Sequence, residues 1–251
     1  NGNISYTTLS LSKIGNGALT GYSYQYDQLN RIVKMNQHTG ITLNASSWSN
    51  SSIVQNYKEE IAYDANGNIL RYLRNGTATG GGLNMDSLTY HYTAGTNKLD
   101  HVRDAIGDAN YTVDIDNQNS GNYEYDAIGN LVKDIKEGIS NIEWTVYGKI
   151  NSITKTNGTS ISYAYDAAGN RVQKTVVASG AGTKNTFYVR DAQGNVMGVY
   201  ADSSSAGLTL DEQHVYGSSR LGLYNWGKAI AANAPVPQWQ GGSNYTPVYD
   251  S

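Results

Sequence analysis

A chain of 251 residues can bury one large core or two, yet 21 Tyr against one Phe, 28 Gly and only 16% charged residues are not the make-up of an ordinary packed interior. A net charge of −3 with both signs interspersed excludes the basic stripe of a nucleic-acid binder, and no apolar run of about 18 residues is present to insert into a membrane. Without cysteine there is no disulfide, no thiolate nucleophile and no zinc–thiolate site.

The chain opens Asn1-Gly2-Asn3 with neither Met nor a signal peptide and stops at Ser251 in a polar stretch, so both ends read as processed boundaries of something longer. The first clear element is Tyr22-Ser23-Tyr24-Gln25-Tyr26, whose period of two predicts a strand with its tyrosines on one face. Tyr26-Asp27-Gln28-Leu29-Asn30-Arg31-Ile32-Val33 then reads as a turn without glycine, and Arg31 to Lys34 as the returning strand. Thr39 to Ser52 is a Ser/Thr/Asn-rich loop. Tyr63-Asp64-Ala65-Asn66-Gly67-Asn68-Ile69-Leu70 is a full copy of a turn unit. Thr77 to Met85, with Gly80-Gly81-Gly82, is a second loop. Asn97 to Val102 is a weaker unit, and Asp104-Ala105-Ile106-Gly107-Asp108 keeps the turn without the tyrosine.

Further along, Tyr125-Asp126-Ala127-Ile128-Gly129-Asn130-Leu131-Val132 and Tyr165-Asp166-Ala167-Ala168-Gly169-Asn170-Arg171-Val172 repeat the unit, with Trp144 to Ile150 as a weaker copy between them. Tyr188-Val189-Arg190-Asp191-Ala192-Gln193-Gly194-Asn195-Val196 is a copy slipped at its start. Leu208 to His214 and Gly227 to Ala234 have room for one helical turn each. Residues 1–223 are therefore expected to be hairpin repeats. Residues 224–251, which hold all three prolines together with Trp226 and Trp239, are expected to form an irregular linker or cap.

Each residue type in the unit has a physical reason. Asp is favoured at the first position of a type I turn, where its carboxylate accepts a backbone N–H two residues on. Gly67, Gly107, Gly129, Gly169 and Gly194 fall where a bulged hairpin loop needs φ > 0. Asn68, Asn130, Asn170 and Asn195 restart the chain ahead of an apolar strand former. The expected fold is all-β, an array of antiparallel hairpins forming a curved or spiralling sheet.

Candidate chemistry is sparse. Asp64, Asn66 and Asn68 alternate as calcium-loop ligands do, but glycine comes fourth rather than sixth, and the matching copies replace Asn66 with Ile128, Ala168 and Gln193, the first two without a side-chain oxygen to offer. His38, His91, His101 and His214 form no metal-spaced pair, and no Gly-Xaa-Ser-Xaa-Gly elbow is present. Glu59 and Glu60 are neighbours and face opposite sides of a strand; Asp114 and Asp116 would share the wet side of one, with Val113 and Ile115 opposite. Gly80-Gly81-Gly82 lacks the Lys-Ser/Thr of a phosphate loop. The residues thus point to no catalytic group, no cofactor and no metal. The tyrosine faces read either as the wall of the sheet, joined by cross-strand aromatic pairs, or as stacking platforms for sugars.

Four near-copies of Asp-Ala-Xaa-Gly-Asn, three directly preceded by Tyr, make the chain resemble the Rhs/YD-repeat family over roughly Tyr22 to Tyr224. Gln213-His214-Val215-Tyr216-Gly217-Ser218-Ser219-Arg220-Leu221-Gly222 resembles a stretch that precedes the core region in Bacteroidetes-type members. The resemblance implies a hollow shell in a secreted or cell-surface bacterial protein. It further implies partners within the parent polypeptide (further repeats, a core plug, a cargo such as a toxin domain) and a secretion machinery. The family's Asp-Pro self-cleavage signature is missing here, because Pro235, Pro237 and Pro247 follow Ala, Val and Thr, so the autoprotease transfers to no residue. A second reading is a surface adhesin that binds carbohydrate or partner cells through its tyrosines; an enzyme buried in the array comes last.

Overall fold

A computed structural model describes residues 2–12, 17–41, 48, 51–77, 82–107, 111, 114–203 and 207–230. It is all-β and antiparallel. The strands are β1 (Tyr6–Leu9), β2 (Thr20–Tyr26), β3 (Ile32–Thr39), β4 (Ser52–Tyr63), β5 (Ile69–Asn75), β6 (Asn84–Tyr92), β7 (Leu99–Asp104), β8 (Tyr123–Tyr125), β9 (Leu131–Asp134), β10 (Ile139–Trp144), β11 (Ile150–Lys155), β12 (Ser160–Tyr165), β13 (Arg171–Ala178), β14 (Gly182–Arg190), β15 (Val196–Ser203), β16 (Gly207–Tyr216) and β17 (Arg220–Ala229). They form a seven-stranded sheet ordered β1 to β7 and a ten-stranded sheet ordered β8 to β17. Within each sheet every strand is hydrogen-bonded to its neighbours in sequence, so each sheet is an open meander of consecutive hairpins.

The chain divides into two compact units, residues 1–140 and 141–251. In the first, Leu88 and Val102 are the apolar side chains buried to 1% exposure; in the second, Ile142, Val199 and Ala201 are buried. Most strand residues are only half-buried. In β12, Ile161, Tyr163 and Tyr165 alternate with exposed Ser162 and Ala164, as a period of two requires.

Three expectations need correction. Leu208 to His214 is strand β16 rather than a helical turn, and Gly227 to Ala229 belongs to β17. Both segments are rich in β-formers or pair along a full neighbour, and ladder pairing overrides a weak helical preference. Strand β17 also carries the ladder past residue 223; residues 231–251 lie outside the described residues. The third correction concerns Asp114 and Asp116, which lie in no strand, so no shared strand face holds them together. Of the proposed loops, 42–47, 49–50 and 78–81 lie outside the described residues, as do Asp108 and Val113. No helix among the described residues is long and apolar enough to cross a membrane.

Candidate functional site: the corner clamp

The recurrent site is the corner at the hairpin end. At Asp64, Asp126, Asp166 and Asp191 the backbone N–H of the aspartate donates to the carbonyl four residues on (Asn68, Asn130, Asn170, Asn195) at 2.9–3.0 Å. The N–H of the glycine three residues on donates back to the aspartate carbonyl. Gly67, Gly129, Gly169 and Gly194 hold φ of 93°, 97°, 79° and 89°, the left-handed region that only glycine enters without strain. At the Asp27 corner Asn30 takes this place with φ 62°, in keeping with the tolerance of Asn for that region.

Each carboxylate is saturated by its own turn. At Asp64, Oδ1 accepts the N–H of Asn66 and of Asn68, and Oδ2 accepts the Asn68 side-chain amide. The same contacts recur at Asp126 and Asp191, while at Asp166 both groups of Asn170 donate. At Asp27, Arg31 replaces the asparagine with its backbone N–H and Nε. The Asp64 carboxyl is held below its ordinary value chiefly by the Asn68 amide, and that of Asp166 by the Asn170 backbone N–H. A carboxylate so occupied has little left to offer a calcium ion at the Asp64-Asn66-Asn68 turn.

The two weaker units are corners built on threonine. Thr93 N–H donates to the Lys98 carbonyl and Thr145 N–H to that of Lys149, and the Thr145 hydroxyl accepts the Lys149 N–H. Asp104 is different. It is buried, its Oδ1 accepts from Ser87 and Ile106, and Gly107 does not adopt a left-handed φ. The Asp104 carboxylate thus ties β7 to β6 instead of closing a hairpin.

What holds one hairpin to the next is the residue just before each corner. In the first unit, the hydroxyl of Tyr63 donates to the Ile32 carbonyl at 2.9 Å, Tyr92 to Ile69 at 2.8 Å and Tyr125 to Leu99 at 2.9 Å. In the second unit, Tyr165 donates to Ile150 at 2.8 Å and Tyr216 to Val196 at 2.9 Å. Each acceptor is the first residue of the returning strand of the preceding hairpin. Where the slipped copy places Arg190 before Asp191, its Nε and Nη2 donate to the equivalent carbonyl of Arg171. The pairing register shifts at each of these positions, between Ala62 and Tyr63, Ala164 and Tyr165, and Val189 and Arg190. Such a bulge turns a side chain out of the regular pleat and sends the hydroxyl sideways to the adjacent hairpin.

A cation closes the clamp. The Arg31 guanidinium lies 4.6 Å from the Tyr63 ring centroid, and its Nη1 donates to the Asp64 carbonyl at 3.1 Å. Lys98 lies over Tyr125, Lys149 over Tyr165, and Arg171 over Tyr188. A cation over a ring contributes about 0.5–1 kcal/mol at such exposed sites. Among the described residues, by contrast, no tyrosine stacks on another, and the tyrosines at the corners make tyrosine–cation and tyrosine–carbonyl contacts instead. The signal for this was present in the sequence, as a basic residue recurring at the start of several returning strands, at Arg31, Lys98, Lys149 and Arg171.

The other candidates disperse. Glu59 accepts the Tyr72 hydroxyl, whereas Glu60 on the opposite face pairs with Lys34 and Lys58. Asp116 pairs with Lys136. His91 and His101 stack as a cross-strand pair 4.4 Å apart, and His38 meets Ser23 and Trp48.

Residues 148–184, from the end of the Thr145 corner into β14, match the family model "RHS Repeat". The chain carries an RHS repeat. That repeat contains one whole clamp, Tyr165 on Ile150 with Lys149 over the ring. No curated protein matches the chain. Similar solved structures include a TcdB2-TccC3-Cdc42 complex, 14% identical with a TM-score of 0.37 over 84% of this chain and 12% of that one. A Photorhabdus luminescens Tc holotoxin pore is 14% identical with a TM-score of 0.38 over 78% and 12%. TcdB2-TccC3 without its hypervariable C-terminal region is 13% identical with a TM-score of 0.34 over 84% and 12%. The chain thus spans about an eighth of the length of each. The RHS repeat and the uninterrupted hairpin ladders support a structural role.

Proposed function

We propose that this chain is a section of an Rhs/YD-repeat wall that encloses or displays a C-terminal cargo, such as a toxin domain, and is non-catalytic in itself. The observation that carries the reading is the corner clamp. Tyr63, Tyr92, Tyr125, Tyr165 and Tyr216, the tyrosines just before the corners, are half-buried, and their hydroxyls are spent on the neighbouring hairpin rather than offered to a sugar. Each clamp links only adjacent hairpins, so stability spreads along the array as nearest-neighbour terms, and a wall of any length follows from repeating the unit. The partners on this reading are the further repeats, plug and cargo of the parent polypeptide, in a secreted or cell-surface bacterial protein.

The reading frame beyond Ser251 in the source genome should encode a core region and a further domain, and limited proteolysis of that full polypeptide should leave the further domain uncut. Replacing Tyr63, Tyr125 and Tyr165 together with Phe should expose it to cleavage. A frame that stops soon after Ser251, or a further domain cut as fast within the polypeptide as alone, would overturn the proposal. Glycan binding that is lost in the same triple variant would favour the adhesin instead.

A further inference from the structure

One face of the seven-stranded sheet holds a row of ionisable groups that the clamps do not use. The register sets Glu59 opposite Arg74, Arg74 opposite Asp86, and Leu88 opposite Asp104. Cross-strand partners and alternate residues share a face, so Glu59, Arg74, Asp86, Leu88 and Asp104 line the same side. Arg74 is the cation of that row, and its Nε donates to Asp86 Oδ2 at 2.7 Å. Asp86 is 1% exposed and Asp104 6%. Asp114, from the stretch after β7, adds a third carboxylate, and one oxygen from each of Asp86, Asp104 and Asp114 lies within 4.8 Å of the others.

A second observation is independent of this clustering. Among the described residues, Asp86 Oδ1 is buried and accepts no hydrogen bond. A buried carboxylate oxygen without a donor is unfavourable, and like charges this close repel. Asp104 is nevertheless oriented with care, its Oδ1 accepting the N–H of Ser87 and of Ile106.

We propose that Asp86, Asp104 and Asp114 bind a hard divalent cation, calcium in preference to magnesium, because Ca²⁺ accepts irregular oxygen coordination whereas Mg²⁺ demands a near-ideal octahedron and gives up its waters reluctantly. The ion would neutralise the row, give Asp86 Oδ1 its partner and fasten the stretch bearing Asp114 to the ends of β6 and β7. The next residues of that stretch finish the edge of β7. Gln118 exchanges two hydrogen bonds with the Val102 backbone as a strand partner would, and Asn117 accepts from the Asp104 N–H. The ion would therefore anchor the segment that carries the chain from β7 to β8.

The test is calorimetric titration of the chelator-treated chain with CaCl₂ and with MgCl₂, alongside thermal unfolding with each salt or EDTA. Calcium should bind at one site and raise Tm, magnesium should bind about tenfold or more weakly, and Asp114→Asn should lose calcium binding by at least about tenfold while keeping the parental CD spectrum in EDTA. Asp116→Asn, outside the cluster, should bind calcium as the parent does. Absence of heat and of any Tm change with millimolar calcium in the parent chain would overturn the proposal. So would unaltered binding in Asp114→Asn, or equal loss in Asp116→Asn; the parent titration decides even if a variant fails to fold.

Discussion

The hydroxyl of Tyr165 donates to the carbonyl of Ile150 at 2.8 Å, across from one hairpin to the one before it. Phenylalanine keeps the ring and its burial but removes that donor. The carbonyl of Ile150 is then left without this partner, so Tyr165→Phe should destabilise the chain by about 1 kcal/mol. Urea unfolding measures this; equal midpoints for the two proteins would show that the hydroxyl holds nothing.

At the same corner Gly169 sits at φ 79°. A β-branched side chain there is strained, and a Cβ would also stand 3.1 Å from Lys149 Cε. Gly169→Val should cost about 1–3 kcal/mol. Gly169→Asn should cost much less, because Asn30 already occupies the matching place in the Asp27 corner. Equal losses in the two variants would refute the left-handed requirement.

Arg31 touches three parts of the joint: the Asp27 carboxylate at 2.6 Å, the Asp64 carbonyl and the Tyr63 ring. Arg31→Ala and Tyr63→Phe therefore remove overlapping parts of one clamp. A double-mutant cycle should give a coupling of about 0.5 kcal/mol or more. Additive losses would mean that the guanidinium and the tyrosine act separately.

The corner carboxylates set the acid limit. Asp64, Asp166 and Asp191 have their pKa values lowered, led by the Asn68 amide, the Asn170 backbone N–H and the Asn195 amide in turn. A group whose pKa is lower in the folded state contributes stability that is complete above its unfolded value and is lost as pH falls through the folded one. Tm should therefore hold from pH 7 to about pH 5 and fall below about pH 4. Replacing Asp64, Asp166 and Asp191 together with Asn should flatten that fall; an unchanged profile would place the acid sensitivity elsewhere.

Much of the fold was legible because its information is local. The Asp-to-Gly corners are decided within five residues, by a carboxylate that accepts nearby N–H groups and a residue free to take positive φ, and the strands by a period of two. Short-range chemistry of this kind survives in any context, which is why the corners at Asp64, Asp126, Asp166 and Asp191 could be placed from the residues alone. Asp104 shows the limit of such reading, since its turn motif is intact in sequence while its carboxylate is taken by Ser87 on another strand.

The amino-acid order by itself determined that the chain is an all-β succession of hairpins and that it reverses at the Asp64, Asp126, Asp166 and Asp191 corners. Only the tertiary structure decided what the tyrosines do and which carboxylates meet. A hydroxyl finds its carbonyl, and Asp114 finds Asp86, only when register and bulge bring together residues far apart in the chain, and pairwise distances of that kind are not written in any local pattern.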